Sequence, residues 1–313
     1  MEKITSTTNE QVKETAKLAQ KKYRMESGLF LVEGFKCIEQ AFKSGFEVRK
    51  IFVLEDKMDK INGKWKTFQM ENGKWKMENE KSEKNNYPLS IIHYPLNSAT
   101  LHSSLSTLSV NEAVMKKITT TDSAPEVVAV VVQKKYPVEA FKNFKKIALF
   151  ENIKDAGNLG TIIRSACAFG IEGIILAGDC VDLYNPKVVR SAVGSLFQMP
   201  VLCLKSVSDV KINFPNHKII ATAAKNEKTK KLSPNPVTIV SQRHELHKSR
   251  IMSGQRQEPM KKTGLCLVMF GSEAQGLSGE ALKIADDFIA IEHDKKVESL
   301  NLSVAASIIF YEL

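Results

Sequence analysis

Long apolar runs, paired cysteines and a glycine phosphate fingerprint are all missing from this sequence, and each absence removes a class of protein. No uninterrupted apolar stretch approaches the ~18 residues of a membrane span, so no membrane association is expected. The five cysteines (Cys37, Cys167, Cys180, Cys203, Cys266) are scattered without a CxxC pair. Their odd number and apolar neighbours read as buried free thiols of a reducing cytoplasm. The polar opening Met1-Glu2-Lys3-Ile4-Thr5 carries no secretory signature, so a cytoplasmic location is expected. His244 and His247 have metal-ligand spacing but no Cys or further His beside them, so no metal site is expected.

What is present is a basic, globular composition. The 313 residues have room for two domains, and 43% hydrophobic content is ordinary for a folded protein. A formal net charge of +10 with pI near 9.2 points to a polyanionic partner, RNA or DNA first and an anionic membrane second.

The chain opens with a predicted helix from about Asn9 to Arg24, because Val12, Ala16, Ala19 and Tyr23 share one helical face. Lys13, Lys17, Lys21, Lys22 and Arg24 lie on the other faces, either as a solvated surface or as an RNA-facing ridge. A strand at Phe30-Leu31-Val32, a helix from Phe35 to Ser44, and strands at Lys50–Leu54 and Val127–Val132 make a small α/β domain over residues 1–136. Residues 57–109 break that pattern. There Asn62-Gly63-Lys64-Trp65-Lys66 recurs as Asn72-Gly73-Lys74-Trp75-Lys76, which reads as a duplicated, flexible insertion. Interleaved Trp and Lys would also suit base stacking.

Residues from Lys134 to Asn143 read as a linker. Beyond it, strands at Ile147–Phe150, Gly173–Leu176, Val201–Leu204, Ile219–Thr222, Leu265–Phe270 and Phe288–Ile291 alternate with helices at Asn158–Phe169, Pro186–Ser191, Ser278–Ile284 and Ser299–Tyr311. That rhythm predicts a parallel sheet with helices on both faces over residues 145–313, interrupted by a Lys/Arg-rich insertion at about 225–262.

Three segments in this half place small or amide-bearing residues where an apolar strand runs out. The first is Gly157-Asn158-Leu159-Gly160-Thr161-Ile162-Ile163-Arg164, with Gly157 freeing the turn and Asn158 available as a helix cap. Its apolar stripe is Leu159, Ile162, Ala166 and Phe169, with Arg164 roughly opposite. The second is Phe270-Gly271-Ser272-Glu273, where Gly271 lets a ligand approach the backbone and Glu273 offers a carboxylate at a strand's carboxyl end. The third is Glu298-Ser299-Leu300-Asn301-Leu302-Ser303, opening the last helix with groups that act as caps or hold a ribose or cofactor carboxylate. No His/Asp pair accompanies them, which favours group transfer over hydrolysis. The missing GxGxxG spacing weighs against a nicotinamide-dependent dehydrogenase.

In this order and spacing, the three segments resemble the signature motifs of the SpoU/TrmH family of RNA ribose 2′-O-methyltransferases, within the SPOUT superfamily. The resemblance covers roughly residues 145–313. The start of the chain, with Lys21-Lys22-Tyr23-Arg24 and Phe30-Leu31-Val32-Glu33-Gly34, looks like the same family's substrate-binding domain. The resemblance implies an α/β protein whose C-terminal parallel-sheet domain is tied in a deep trefoil knot, preceded by a small RNA-binding α/β domain. It implies S-adenosylmethionine as cofactor, held by backbone around Gly271, Ile291, Leu300 and Asn301, and a homodimer whose site is completed by the partner's first motif. By position, Asn158 and Arg164 correspond to the first-motif amide and activating arginine, Glu273 to the second-motif glutamate, and Ser299 and Asn301 to the third-motif pair. The expected substrate is RNA, ribosomal before transfer RNA by analogy of layout. A non-catalytic RNA-binding protein on the same fold is the alternative. At the entry to the third motif, Ile291-Glu292-His293-Asp294-Lys295 stands where the family commonly has Ile-Pro-Met-x-Gly.

Overall fold

The computed structural model describes residues 2–60, 68–71, 74–77, 105–222, 237–238, 264–291, 293–294 and 296–313. The chain forms two compact units, Met1–Lys134 with Asp182–Gln198, and Lys135–Val181 with Met199–Leu313. The excursion of residues 182–198 into the first unit has no counterpart in the sequence-based division.

In the first unit the elements are β1 (Glu2–Ile4), α1 (Glu10–Lys17), α2 (Lys21–Ser27), β2 (Leu29–Glu33), α3 (Phe35–Lys43), β3 (Val48–Leu54), β4 (Phe68–Glu71), β5 (Lys74–Met77), β6 (Ser106–Val110), α4 (Glu112–Ile118) and β7 (Val127–Val132). Five strands form a mixed sheet in the order β1-β6-β3-β7-β2. β6 lies parallel to both β1 and β3, while β7 runs antiparallel to β3 and β2.

The single helix expected over Asn9–Arg24 is two helices. Leu18, Ala19 and Gln20 close α1 with backbone bonds to the third residue back, and Gln20 turns extended before α2. Arg24 explains the break. It is only 1% exposed, and its Nη1 donates to the carbonyls of Leu18 and Ala19, each at 2.8 Å, satisfying the end of α1. Its Nε and Nη2 donate to Asp182 at 2.7 and 2.6 Å. Arg24 is therefore an internal clip and not part of a basic surface. The buried stripe of α1 runs through Val12, Thr15 and Leu18, and Ala19 is exposed.

The segment 182–198 carries α6 (Pro186–Ser191) and packs aromatics into this unit: Tyr184 lies 4.4 Å and Phe197 6.3 Å from Phe30, ring centre to ring centre. The insertion assigned to 57–109 ends earlier than expected. β6 is an interior strand of the sheet, between β1 and β3, with Leu108 and Val110 buried between Ser and Thr residues that disguise it. Within the insertion, β4 and β5 pair antiparallel, Glu71 opposite Lys74. Trp65 and the remainder of the repeat lie outside the described residues.

The second unit holds β8 (Lys146–Glu151), α5 (Ala156–Ala168), β9 (Gly173–Ala177), β10 (Val201–Leu204), α7 (Asp209–Asn213), β11 (Lys218–Thr222), β12 (Val237–Thr238), β13 (Cys266–Phe270), α8 (Gly279–Ile284), β14 (Asp287–Ala290) and α9 (Leu302–Glu312). Seven strands in the order β10-β9-β8-β13-β11-β14-β12 are parallel at every junction. Strands β8, β9 and β13 are almost wholly buried, as apolar runs covered on both faces should be. The expected linker contributes to this core, because Ala140 and Phe141 pack with Ile147, Leu149 and Ile175. Gly173 makes room for them: a Cβ there would meet the Phe141 ring at 2.6 Å.

Two smaller expectations fail. None of the five cysteines forms a disulfide, yet none is fully buried as expected, and Cys203 on the edge strand β10 is exposed. Phe169, placed in the buried stripe of α5, is 37% exposed just past the end of the helix. None of the described helices is long and apolar enough to cross a membrane. Apart from β12, which pairs with β14, the basic insertion and His244/His247 lie outside the described residues.

Candidate active site

Because the sheet is parallel, the chain leaves β8, β13 and β14 at one edge, the carboxyl edge where open α/β sheets bind ligands. The three sequence segments follow those three strands.

The first turn, after β8, is built by residues that pattern reading passed over. Asp155, not Asn158, caps α5, its Oδ1 accepting the Asn158 N–H at 2.7 Å. That leaves the Asn158 side chain unengaged by its own helix. Asn152 adopts a left-handed backbone (φ 55), which asparagine tolerates better than most residues. Glu151, 6% exposed at the strand end, accepts the Ser278 N–H at 2.8 Å and so ties β8 to the start of α8. The D-x-x-N spacing of Asp155 and Asn158 was the available sequence signal for the cap.

The second turn closes on itself. Ser272 and Gly276 exchange two backbone hydrogen bonds, Ser272 N–H to Gly276 O at 3.2 Å and Gly276 N–H to Ser272 O at 3.0 Å. Gly271 sits under this clasp, where a Cβ would fall 1.9 Å from the Gly276 carbonyl carbon and 2.1 Å from the Leu277 nitrogen. Its glycine requirement is thus set by the loop's own backbone and not by ligand approach. The clasp presents Glu273 at its exposed tip.

The third segment differs from expectation in where its helix begins. α9 starts at Leu302, so Ser299 stands exposed before it, outside the helix, and Asn301 is the cap. Asn301 Oδ1 accepts from the Ser303 N–H (2.9 Å), the Ser303 hydroxyl (2.6 Å) and the Val304 N–H (3.4 Å). Three donors fix that atom as the oxygen, so the other amide atom must be Nδ2.

The consequence is a directed relay across all three turns. Asn301 Nδ2 donates to Asn158 Oδ1 at 3.1 Å, and Asn158 Nδ2 donates in turn to Glu273 Oε1 at 2.8 Å. Each amide orientation dictates the next, and the relay ends on a carboxylate acceptor. Beside it lies an open cleft of about 570 Å³ lined by Asn152, Lys154, Asp155, Asn158, Ser272, Glu273, Ala274 and Gln275, a size usual for small-molecule sites.

The structure therefore brings together Asn158, Glu273 and Asn301. Arg164 is exposed on α5 and does not line the cleft. Ile291, ahead of the third segment, and Leu300, within it, are half-buried. His293 makes a 3.1 Å contact from Nδ1 to the Ile291 carbonyl, while Glu292 and Lys295 lie outside the described residues. Among the described residues no group of three metal-binding side chains occurs. Beneath the site, the Ser307 hydroxyl bonds Ser165 Oγ at 2.8 Å, joining α9 to α5.

Comparison with known proteins identifies the family and the fold. Residues 145–311 match the SpoU rRNA Methylase family, and residues 9–129 match an MRM3-like substrate binding domain. The chain is 25% identical, over 100% of its length and 99% of the relative's, to a 23S rRNA (guanosine(2553)-2'-O)-methyltransferase of Bacillus subtilis. It is 29% identical to an uncharacterized tRNA/rRNA methyltransferase of Synechocystis, over 99% of this chain and 92% of the other. The solved structure of an AdoMet-bound rRNA methyltransferase from Sinorhizobium meliloti shares the fold with a TM-score of 0.71 at 24% identity, covering 99% and 96% of the two chains. The AviRb methyltransferase of Streptomyces viridochromogenes shares it with a TM-score of 0.67 at 22% identity, over 97% and 96%. With more than half its length matched, this chain belongs to the SpoU rRNA methylase family.

Proposed function

We propose that this protein is an S-adenosylmethionine-dependent RNA 2′-O-ribose methyltransferase acting on ribosomal RNA in the cytoplasm. The observation that carries the reading is the relay from Asn301 through Asn158 to Glu273. It joins the turns after three parallel strands, inside the part of the chain matched to the family. The clasped loop over Gly271 and the carboxylate of Glu273 fit a cationic cofactor, since loop backbone and one negative charge meet at the sheet's carboxyl edge. Gly271, Ile291, Leu300 and Asn301 would hold that cofactor. When bound, it supplies an electrophilic methyl carbon on a sulfonium.

The chain's own residues then orient the acceptor. Asn158 holds Glu273 at the cleft, and Ser299, exposed ahead of Asn301, is free to bond a ribose. Holding the reacting atoms in line accounts for up to ~7–11 kcal/mol of barrier in favourable cases. Arg164 activates or orients the ribose hydroxyl. Its exposure away from the cleft supports a homodimer in which each site receives Arg164 from the other copy. An exposed apolar surface supports the same reading: Phe169 (37%), just past α5, meets Tyr311 (59%) of α9, where Val304 (47%) is also exposed. In the knot we propose, the chain end carrying α9 threads the C-terminal unit. The first unit would bind the RNA.

The test is methyl transfer from labelled cofactor into ribosomal RNA, with mapping of the 2′-O-methyl site. Arg164→Ala should bind cofactor normally and transfer methyl at least about a hundredfold more slowly. Mixing Arg164→Ala and Asn158→Ala subunits should restore part of the activity, since one site per heterodimer then has both groups. A wild-type-rate Arg164→Ala enzyme would sink the assignment. No incorporation into any RNA would favour a binding protein.

A further inference from the structure

The positive charge in the cleft has no part in the relay. Lys154 is the sole cation among the described residues lining the cleft, which otherwise presents the carboxylates of Asp155 and Glu273. Its Nζ pairs with Asp179, and both side chains are well exposed, 58% and 83%. An ion pair so open to water is worth little in stability, and for the same reason its cation transfers to another anion at little cost.

The fold places Asp179 with care. Asn152, in its left-handed conformation, accepts the Asp179 N–H at Oδ1 (2.8 Å). That same oxygen fills the space of a Cβ at Gly178 (φ 76), 2.4 Å away. Asp179 is thus held over the carboxyl edge, beyond β9, by two left-handed residues.

We infer that Lys154 is a positioning residue that grips a phosphate of the substrate RNA beside the target ribose, with Asp179 holding the ammonium in place until the RNA arrives. The inference rests on the proposed use of RNA as methyl acceptor. A ribose 2′-hydroxyl lies next to its own 3′-phosphate, so any nucleotide presented to Asn158 and Glu273 brings an anion to a cleft whose lining offers one cation. Neutralising a single phosphate adds a fixed increment to the salt dependence of binding.

The experiment measures binding of a large-subunit ribosomal RNA transcript against KCl for wild type, K154Q, K154R and D179N. K211Q serves as a matched control, because Lys211 also pairs with an aspartate (Asp286, 2.8 Å) but does not line the cleft. K154Q should weaken binding roughly fivefold and lower the slope of log K against log[salt] by about one. K154R should retain both, and D179N should tighten binding. Cofactor affinity should stay unchanged throughout. Wild-type affinity and slope in K154Q, or an equal loss in K211Q, overturns the inference, as does a wild type with no affinity for the transcript. A wild type that binds with this Lys154 dependence but transfers no methyl group would refute the enzyme reading alone.

Discussion

Asp155 and Asn301 both cap helices at the candidate site, yet they leave the site different things. Asp155 caps α5, and because it takes the first-turn N–H, Asn158 three residues later is left with a whole amide facing the other turns. Asn301 caps α9 itself, so its oxygen is committed to Ser303 and Val304 and only its nitrogen remains for Asn158. One turn separates cap from function, and the other fuses them. The fused arrangement gives the relay its direction, since an amide held at its oxygen has only a donor to offer.

Substitutions can pull the two designs apart. The largest effect is expected for Asn158→Ala, which removes the centre of the relay: methyl transfer should fall by roughly a hundredfold. Its melting temperature should stay near wild type, because the cap is elsewhere. A matching drop in stability would show that Asn158 is structural. Next comes Gly271→Ala, where a methyl group would overlap the backbone of Gly276 and Leu277. A loss of about 1–3 kcal/mol in denaturant unfolding is expected, together with weakened cofactor binding. Asn301→Ala should lose both functions at once, about 1 kcal/mol of stability and a large part of the activity. Asn301→Asp keeps the capping acceptor, so it should recover the stability without the activity. The smallest effect is Asp155→Ala, about 1 kcal/mol of stability, with activity reduced only as far as Asn158 loosens. Equal behaviour of Asp155→Ala and Asn301→Ala in kinetics would erase the distinction.

Much of this is legible in the sequence, and the reasons are physical. The second unit's strands are buried on both faces, so they stand out as continuous apolar runs such as Ile147–Phe150 and Leu267–Phe270. The candidate residues Asn158, Glu273 and Asn301 are legible because each lies beyond such a run. What stayed hidden depends on pairing at a distance. β6 alternates Leu108 and Val110 with serine and threonine, and only its position between β1 and β3 makes it a strand. Arg24 looks like any helical cation until Asp182, far along the chain, meets it. The start of α9 was set too early because a serine and an asparagine two residues apart are equal candidates for a cap, and only the bonds to Ser303 and Val304 choose Asn301.

The excursion of residues 182–198 bears on how this protein can be divided. A fragment stopped near residue 136 would contain every strand of the first sheet and still be incomplete. It would lose Tyr184 and Phe197 from beside Phe30, and it would strand the Arg24 guanidinium indoors without its carboxylate. Removing one partner of a buried pair costs about 3–5 kcal/mol, a large share of what a domain of that size has to spare. The first unit is therefore completed by sequence that lies inside the stretch matched to the methylase family.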